Sequence, residues 1–191
     1  MGAIRPPRKA KLICGLFSND VDLLRRARQL LARRLGEIDT ESELWPFDTT
    51  DYYEPEMGPD LQRMFVSFAS LIDPGQLAHI KHETNDLEAA ICHDMGAPPE
   101  FRLVNLDPGY ITLSKLVLAT TKDYSHRIYI GQGMYAESTL HWQSGAWQAW
   151  PWTYPDFAGE RYHGFLTQVR ERLREQLSEV PACDTKEAPD A

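Results

Sequence analysis

The sequence predicts an α/β fold in its α+β form, and three observations carry that prediction. Apolar residues recur at helical spacing over residues 21–35, 76–93 and 161–177. Short apolar runs bounded by turn residues lie between them and read as strands. Up to residue 106 the order is strand, helix, strand, strand, helix, strand, as in a split βαβ or ferredoxin-like βαββαβ unit. Further antiparallel strands and a C-terminal helix extend it.

Each element has its own signal. Residues 11–18 (KLICGLFS), with the apolar run 12–17, read as a buried strand. Asp20 caps the following helix, whose stripe is Leu23, Leu24, Ala27, Leu30, Leu31 and Leu35, and Gly36 stops it. Its other face carries Arg25, Arg26, Arg28, Arg33 and Arg34, which reads as a solvated face or, alternatively, an anionic docking face. Residues 42–48 (SELWPFD) read as a second strand, at an edge because of Pro46. Residues 49–58 are a loop dense in hydroxyls and carboxylates. Residues 63–71 (RMFVSFASL) read as a third, buried strand.

Asp73-Pro74-Gly75 makes a turn into the helix 76–93, with Leu77, Ile80, Thr84, Leu87 and Ile91 inward. Lys81 and Glu88 flank that stripe and read as a surface charge pair or as the border of a cleft. Residues 101–106 (FRLVNL) read as a fourth strand, closed by a turn at Asp107-Pro108-Gly109. Residues 115–119 start the added antiparallel segment, and the chain returns at 127–130. Residues 135–142 alternate, with Tyr135, Glu137, Thr139 and His141 on one face and Ala136, Ser138, Leu140 and Trp142 on the other. An aromatic, proline-punctuated stretch at 147–157 reads as a core wall or a cover. The last helix carries Phe165, Leu166, Val169, Leu173 and Leu177 inward.

The 191 residues fit a flexible basic tail at 1–9, a single globular domain at 10–178 and a disordered acidic tail at 179–191. The net charge of −8 argues against general nucleic-acid or anionic-membrane binding. Cys14, Cys92 and Cys183 are an odd set without a CxxC pair, which points to reduced thiols rather than a disulfide framework. No apolar run approaches the length of a membrane span. A cytoplasmic location follows as the expectation.

Familiar chemical motifs are few. There is no GxxxxGK[ST] loop. Gly131-Gln132-Gly133-Met134-Tyr135-Ala136 matches G-x-G-x-x-A, but the next segment alternates like a strand, so it reads as a hairpin turn. His79 and His82 lie three apart on a helix without a converging zinc set. Ser125–His126 and Cys92–His93 are sequence neighbours whose side chains point apart, so neither makes a nucleophile–base dyad.

The segment 120–127 (TTKDYSHR) is the richest in chemistry, and the chain is arranged around it. Lys122 and Arg127 suit the oxygens of a phosphate or carboxylate. Asp123 and His126 suit acid–base work near neutral pH. Thr120, at the strand end, and Tyr53, in the polar loop, complete the expected ligand-binding set. Asp107, Glu137, Glu54 and Glu56 are oxygen ligands suited to a divalent cation such as Mg²⁺ beside a phosphate. The competing reading is a hairpin end closed by an Asp123–Arg127 pair, with nothing bound.

Five strings occur together in order: residues 50–53 (TDYY) with 56–58 (EMG), residues 105–110 (NLDPGY), residues 117–123 (VLATTKD) with His126-Arg127, residues 135–140 (YAESTL) and residues 152–156 (WTYPD). In these the chain resembles the bacterial family catalogued as domain of unknown function 4416, over residues 10–175. The resemblance implies a stand-alone bacterial protein with no assigned reaction or catalytic residues. Some members carry a GTP-binding label. The residues lead to an uncharacterised cytosolic binder of, or enzyme acting on, a small phosphorylated or anionic ligand. Two alternatives stand beside it: a non-catalytic module that docks a protein partner, and nucleotide binding without a Walker loop.

Overall fold

The computed structural model describes residues 4–98 and 100–179. The chain is α+β, with nine strands in one sheet whose pairs are all antiparallel. Strand β1 (Ala10–Ser18) runs into helix α1 (Val21–Leu35), then β2 (Ile38–Glu41) and the short β3 (Trp45–Pro46). One helical turn, α2 (Glu54–Met57), precedes β4 (Gln62–Ile72), α3 (Leu77–Asp94) and β5 (Asn105–Ile111). Next come β6 (Lys115–Thr120), β7 (Ile128–Gly131), β8 (Met134–Gln143) and β9 (Ala146–Ala149), then α4 (Pro155–Ala158) and α5 (His163–Glu179).

The sheet order is β2-β4-β1-β5-β6-β8-β7, with β3 beside β4 and β9 beside β8. Strand β4 thus lies between β2 and β1, and β1 between β4 and β5. Strand β1 is buried along its whole length because both faces are covered. Leu12, Cys14 and Leu16 pack with Leu24 and Leu31 of α1 and Ile80 and Ile91 of α3. Ile13 faces the other way, onto Phe165, Leu166, Val169 and Leu173 of α5. The apolar run of β1 and the one-sided stripes of the helices are thus one pattern. Asp20 caps α1, accepting from the Asp22 and Leu23 amides at 2.8 and 3.3 Å.

The structure corrects four sequence expectations. The second strand lies at Ile38–Glu41 and Trp45–Pro46 instead of 42–48, because pairing with β4, rather than apolar patterning, defines it. Asp107-Pro108-Gly109 is not a turn but the middle of β5. Pro108 precedes the stretch paired with β6, so no β5–β6 bond is lost at it. The segment 121–127 is not a hairpin tip: β6 and β7 both pair with β8, so the segment crosses over the end of β8. Finally, Leu116 pairs with Leu140 but Val117 with Ser138, which leaves Thr139 as a bulge. The bulge breaks the expected alternation and turns Leu140 into the core with Ile13 and Leu116. Gly131-Gln132-Gly133 does form the β7–β8 turn, with positive φ at all three residues. The proposed acidic tail, from residue 180 onward, lies outside the described residues.

Candidate functional site

Strands β5 and β6 pair over only three positions, Gly109–Ile111 against Leu118–Leu116. At Gly109 the strands are so close that a Cβ would sit 2.4 Å from the Val117 carbonyl oxygen. Beyond that point they separate. Asn105 and Asp107 on β5 and Ala119 and Thr120 on β6 become facing walls of a cavity of about 650 Å³. That volume suits a small molecule, for which pockets are typically about 300–1,000 Å³. Helix α3 supplies one wall through Lys81, Asn85 and Glu88, which share a helical face. The loop 47–53 and residues 154–157 close the other sides.

Lys81 reaches into the gap. Its ammonium donates to the Leu106 carbonyl at 2.9 Å and to Asp107 Oδ1 at 3.2 Å. Burial alone would lower the Lys81 pKa, but Asp107 and Glu88 raise it on balance. Burial likewise works to raise the Asp107 pKa, yet Lys81 and Arg63 hold it below the usual carboxylate range. Two turns along the helix, Glu88 Oε1 accepts the Leu106 amide at 2.6 Å. Its other oxygen, Oε2, makes no hydrogen bond among the described residues, and Arg102 Nη1 stands 4.0 Å away. Burial pushes the Glu88 carboxyl up to about 7, against the lowering pull of Lys81.

Arg63 enters from β4. It is 4 % exposed and pairs with Asp156 of α4, with Asp107 Oδ2 3.9 Å from Nη2. The rings of Phe17, Phe47, Phe65, Phe157 and Tyr162 surround its guanidinium at 4.6–5.7 Å. Burial raises the Asp156 pKa despite the arginine. Arg102 bridges Asn105 at 2.7 Å and Glu56 at 3.0 Å, and lies over the Tyr53 ring.

At the mouth, Arg127 Nε donates to Glu137 Oε2 at 3.0 Å, Nη1 to the Lys122 carbonyl and Nη2 to the Tyr154 hydroxyl. Lys122 Nζ donates to the Tyr52 hydroxyl at 2.9 Å and sits over the Tyr52 ring. His126 lies 3.0 Å from the same Glu137 oxygen and stacks on Trp152, which stacks in turn on Trp150. These contacts clasp the segment 121–127 to residues 150–154.

The expected site residues divide between two places. Lys122, Arg127, Thr120, Tyr53, Asp107 and Glu137 all line the cavity. Asp123 and His126 line an adjoining open groove with Tyr124, Pro151 and Trp152. Asp123 forms no hydrogen bond or ion pair among the described residues, so the Asp123–Arg127 closure is absent and Arg127 turns to Glu137 instead. Glu54 and Glu56 do not line the cavity; Glu56 is held by Arg102. Among the described residues no three of His, Cys, Asp and Glu converge as a metal set. The four carboxylates expected to share a cation therefore do not come together. Separation is simple to explain, since Glu54 and Glu56 ride on α2 while Asp107 is anchored by Lys81.

Arg63, Arg102, Asn85 and Tyr154 belong to the cavity and carry no local sequence signal. The spacing of Lys81 and Glu88 carried one, but the surface-pair reading weighed beside the cleft fails, since both residues are buried and line the cavity. The arginine face of α1 is largely self-neutralised, with Arg25 on Asp22, Arg26 on Asp94, Arg28 on Glu41 and Arg34 on Glu83.

The chain belongs to the family described as Domain of unknown function (DUF4416), whose family model matches residues 8–173. No curated protein and no solved structure matches it. Among the described residues no helix is long and apolar enough to cross a membrane.

Proposed function

We propose that this member of the family is a cytoplasmic bacterial protein that binds, or acts on, a small phosphorylated or anionic ligand in the cavity between β5 and β6. One observation carries the reading. Among the described residues Arg63, Lys81, Arg102 and Arg127 each have a carboxylate within hydrogen-bonding distance, whereas Lys122 at the mouth has none. An unneutralised ammonium at the entrance of a walled cavity attracts an anion, and Arg127, Thr120 and Tyr53 stand beside it as further donors. His126 and Asp123, in the adjoining groove, are placed to meet the part of a ligand that projects from the mouth. Asp107 and Glu137 are already engaged by Lys81 and Arg127, so Mg²⁺ enters the reading only as a companion of the ligand's phosphate.

A thermal-melt screen with inorganic phosphate, pyrophosphate, sugar phosphates and nucleotides, each with and without Mg²⁺, tests this. A ligand at a hundred times its Kd adds about 2.7 kcal/mol, and each kcal/mol moves the midpoint of a chain this size by about 2–4 °C. The expected result is a rise in the wild type that Lys122→Ala removes. No rise with any compound, or an equal rise in the variant, contradicts the reading. The screen also covers nucleotide binding without a Walker loop.

A second reading, docking of a protein partner, is favoured by a different observation. Ile128 and Tyr129 on the outermost strand β7 are 72 % and 59 % exposed. Substituting both with serine would leave every ligand-induced shift intact and abolish only partner binding.

A further inference from the structure

Among the described residues, every charged group lining the cavity except two sits within hydrogen-bonding distance of an opposite charge. The pairs are Arg63 with Asp156, Lys81 with Asp107, Arg102 with Glu56 just outside, and Arg127 with Glu137. The exceptions are Lys122, at the exposed mouth, and Glu88, which is 9 % exposed and on the inner wall. Glu88 is held rigidly from one side only. The Leu106 amide fixes Oε1, and Oε2 is left without a hydrogen-bond donor among the described residues. A carboxylate oxygen that lines a cavity without a protein donor is an acceptor open to a ligand's N–H or O–H.

We propose that the ligand is dipolar: its anionic group meets Lys122 at the mouth, and its other end carries an ammonium or hydroxyl that donates to Oε2 of Glu88. This deepens the anion-binding reading and rests on it. The groups that face Glu88 fit the role. From its own helix comes Lys81, already neutralised by Asp107. From β5 come the Leu106 amide and Asp107, and from the preceding loop Arg102, which is drawn off by Glu56 and Asn105. From β1 there is the Cys14 thiol, whose pKa burial raises far above neutral, so it brings no charge. Arg102 Nη1 stands 4.0 Å from Oε2, beyond hydrogen-bonding distance, so among the described residues Glu88 keeps an acceptor oxygen free on the inner wall. Because burial lifts its titration to about 7, the carboxylate form that receives the donor grows as pH rises through neutrality.

Matched ligands test the proposal. A series of ω-aminoalkyl and ω-hydroxyalkyl phosphates of increasing chain length is compared by isothermal calorimetry with alkyl phosphates of the same lengths. At the chain length that spans the cavity, the wild type is expected to bind the donor-bearing compound at least about tenfold more tightly than its alkyl partner, for one charged hydrogen bond. The preference is expected to grow from acid to mildly alkaline pH. Glu88→Gln, which keeps the shape and changes the acceptor, is expected to lose both the preference and its pH dependence. Equal binding of the matched compounds by the wild type, or a preference that survives in Glu88→Gln, overturns the dipolar ligand and leaves the anion site standing. No binding of any phosphate by a wild type that melts cooperatively overturns the anion site, and this proposal with it.

Discussion

Arg127 Nε lies 3.0 Å from Glu137 Oε2, and both side chains are almost wholly out of water. One residue ends the crossover segment and the other sits on β8, so the pair fastens the mouth of the cavity to the sheet. Burial alone would lower the Arg127 pKa, but its bonds to Glu137 and Tyr154 raise it. Removing one partner of a buried pair strands the other, which typically costs about 3–5 kcal/mol. Glu137→Ala is therefore expected to lower the stability measured by urea unfolding by about 3 kcal/mol. The double variant Glu137→Ala/Arg127→Ala is expected to cost less than the two single changes summed. Additive losses would mean that the pair is not coupled.

Arg63 and Asp156 are the second buried pair, and they join β4 to the α4 turn inside a box of aromatic rings. Asp156→Ala is expected to destabilise by about 3 kcal/mol, since it leaves the guanidinium among rings with only Asp107, 3.9 Å away and already bound by Lys81. Arg63→Met/Asp156→Ala replaces the stranded charge with an apolar chain of similar reach and is expected to recover much of that loss. Thermal melting of the two variants side by side checks the order.

Gly109 holds β5 and β6 at their closest approach, just where the cavity begins. An added Cβ meets the Val117 carbonyl at 2.4 Å and Leu118 Cδ2 at 2.6 Å, both parts of the sheet itself. Gly109→Ala is expected to cost about 1–3 kcal/mol through forced separation of the strands. Amide exchange at Leu116–Leu118 is expected to rise in step. A variant as stable as the wild type would show that the contact is easily relieved.

Glu88 makes stability depend on pH with a definite sign. In the unfolded chain a glutamate titrates near about 4.3, and in the fold burial lifts Glu88 to about 7. Between those values the native state keeps a proton that the unfolded chain has lost. Stability from this group is complete below the lower value and falls as pH rises through the window, by on the order of 3 kcal/mol. Urea unfolding of wild type and Glu88→Gln from pH 4 to pH 8, values chosen to bracket about 4.3 and about 7, isolates the term. The wild type is expected to lose ground to the variant as pH rises, and parallel curves would contradict the assignment.

What the sequence disclosed follows from the range of its signals. Periodicity is local, so α1, α3 and α5 and their inward residues were legible, as was β1. Strand β2 was not, because IDTE has no apolar run and is a strand only through β4. Asp107-Pro108-Gly109 reads as a turn by composition, and its place in β5 depends on the partner strand β1 opposite it. The same limit governs the site. Lys122, Arg127 and Thr120 cluster in sequence, and chemistry alone singles them out. Arg63 meets Asp156 across 93 residues, and no spacing rule joins them. Arg63 also opens a segment whose other residues are mostly apolar, so a charge there reads as the start of a strand.

The most direct test of the central claim is a backbone amide NMR titration of the full chain with pyrophosphate. If the cavity between β5 and β6 is the anion site, the largest shift changes fall on Thr120, Thr121 and Lys122 and extend to Tyr52, Tyr53 and Arg127, with Lys122→Ala erasing them. Changes concentrated instead on Arg25, Arg28 and Arg33 of α1, or changes on the cavity residues that persist unaltered in Lys122→Ala, would contradict it.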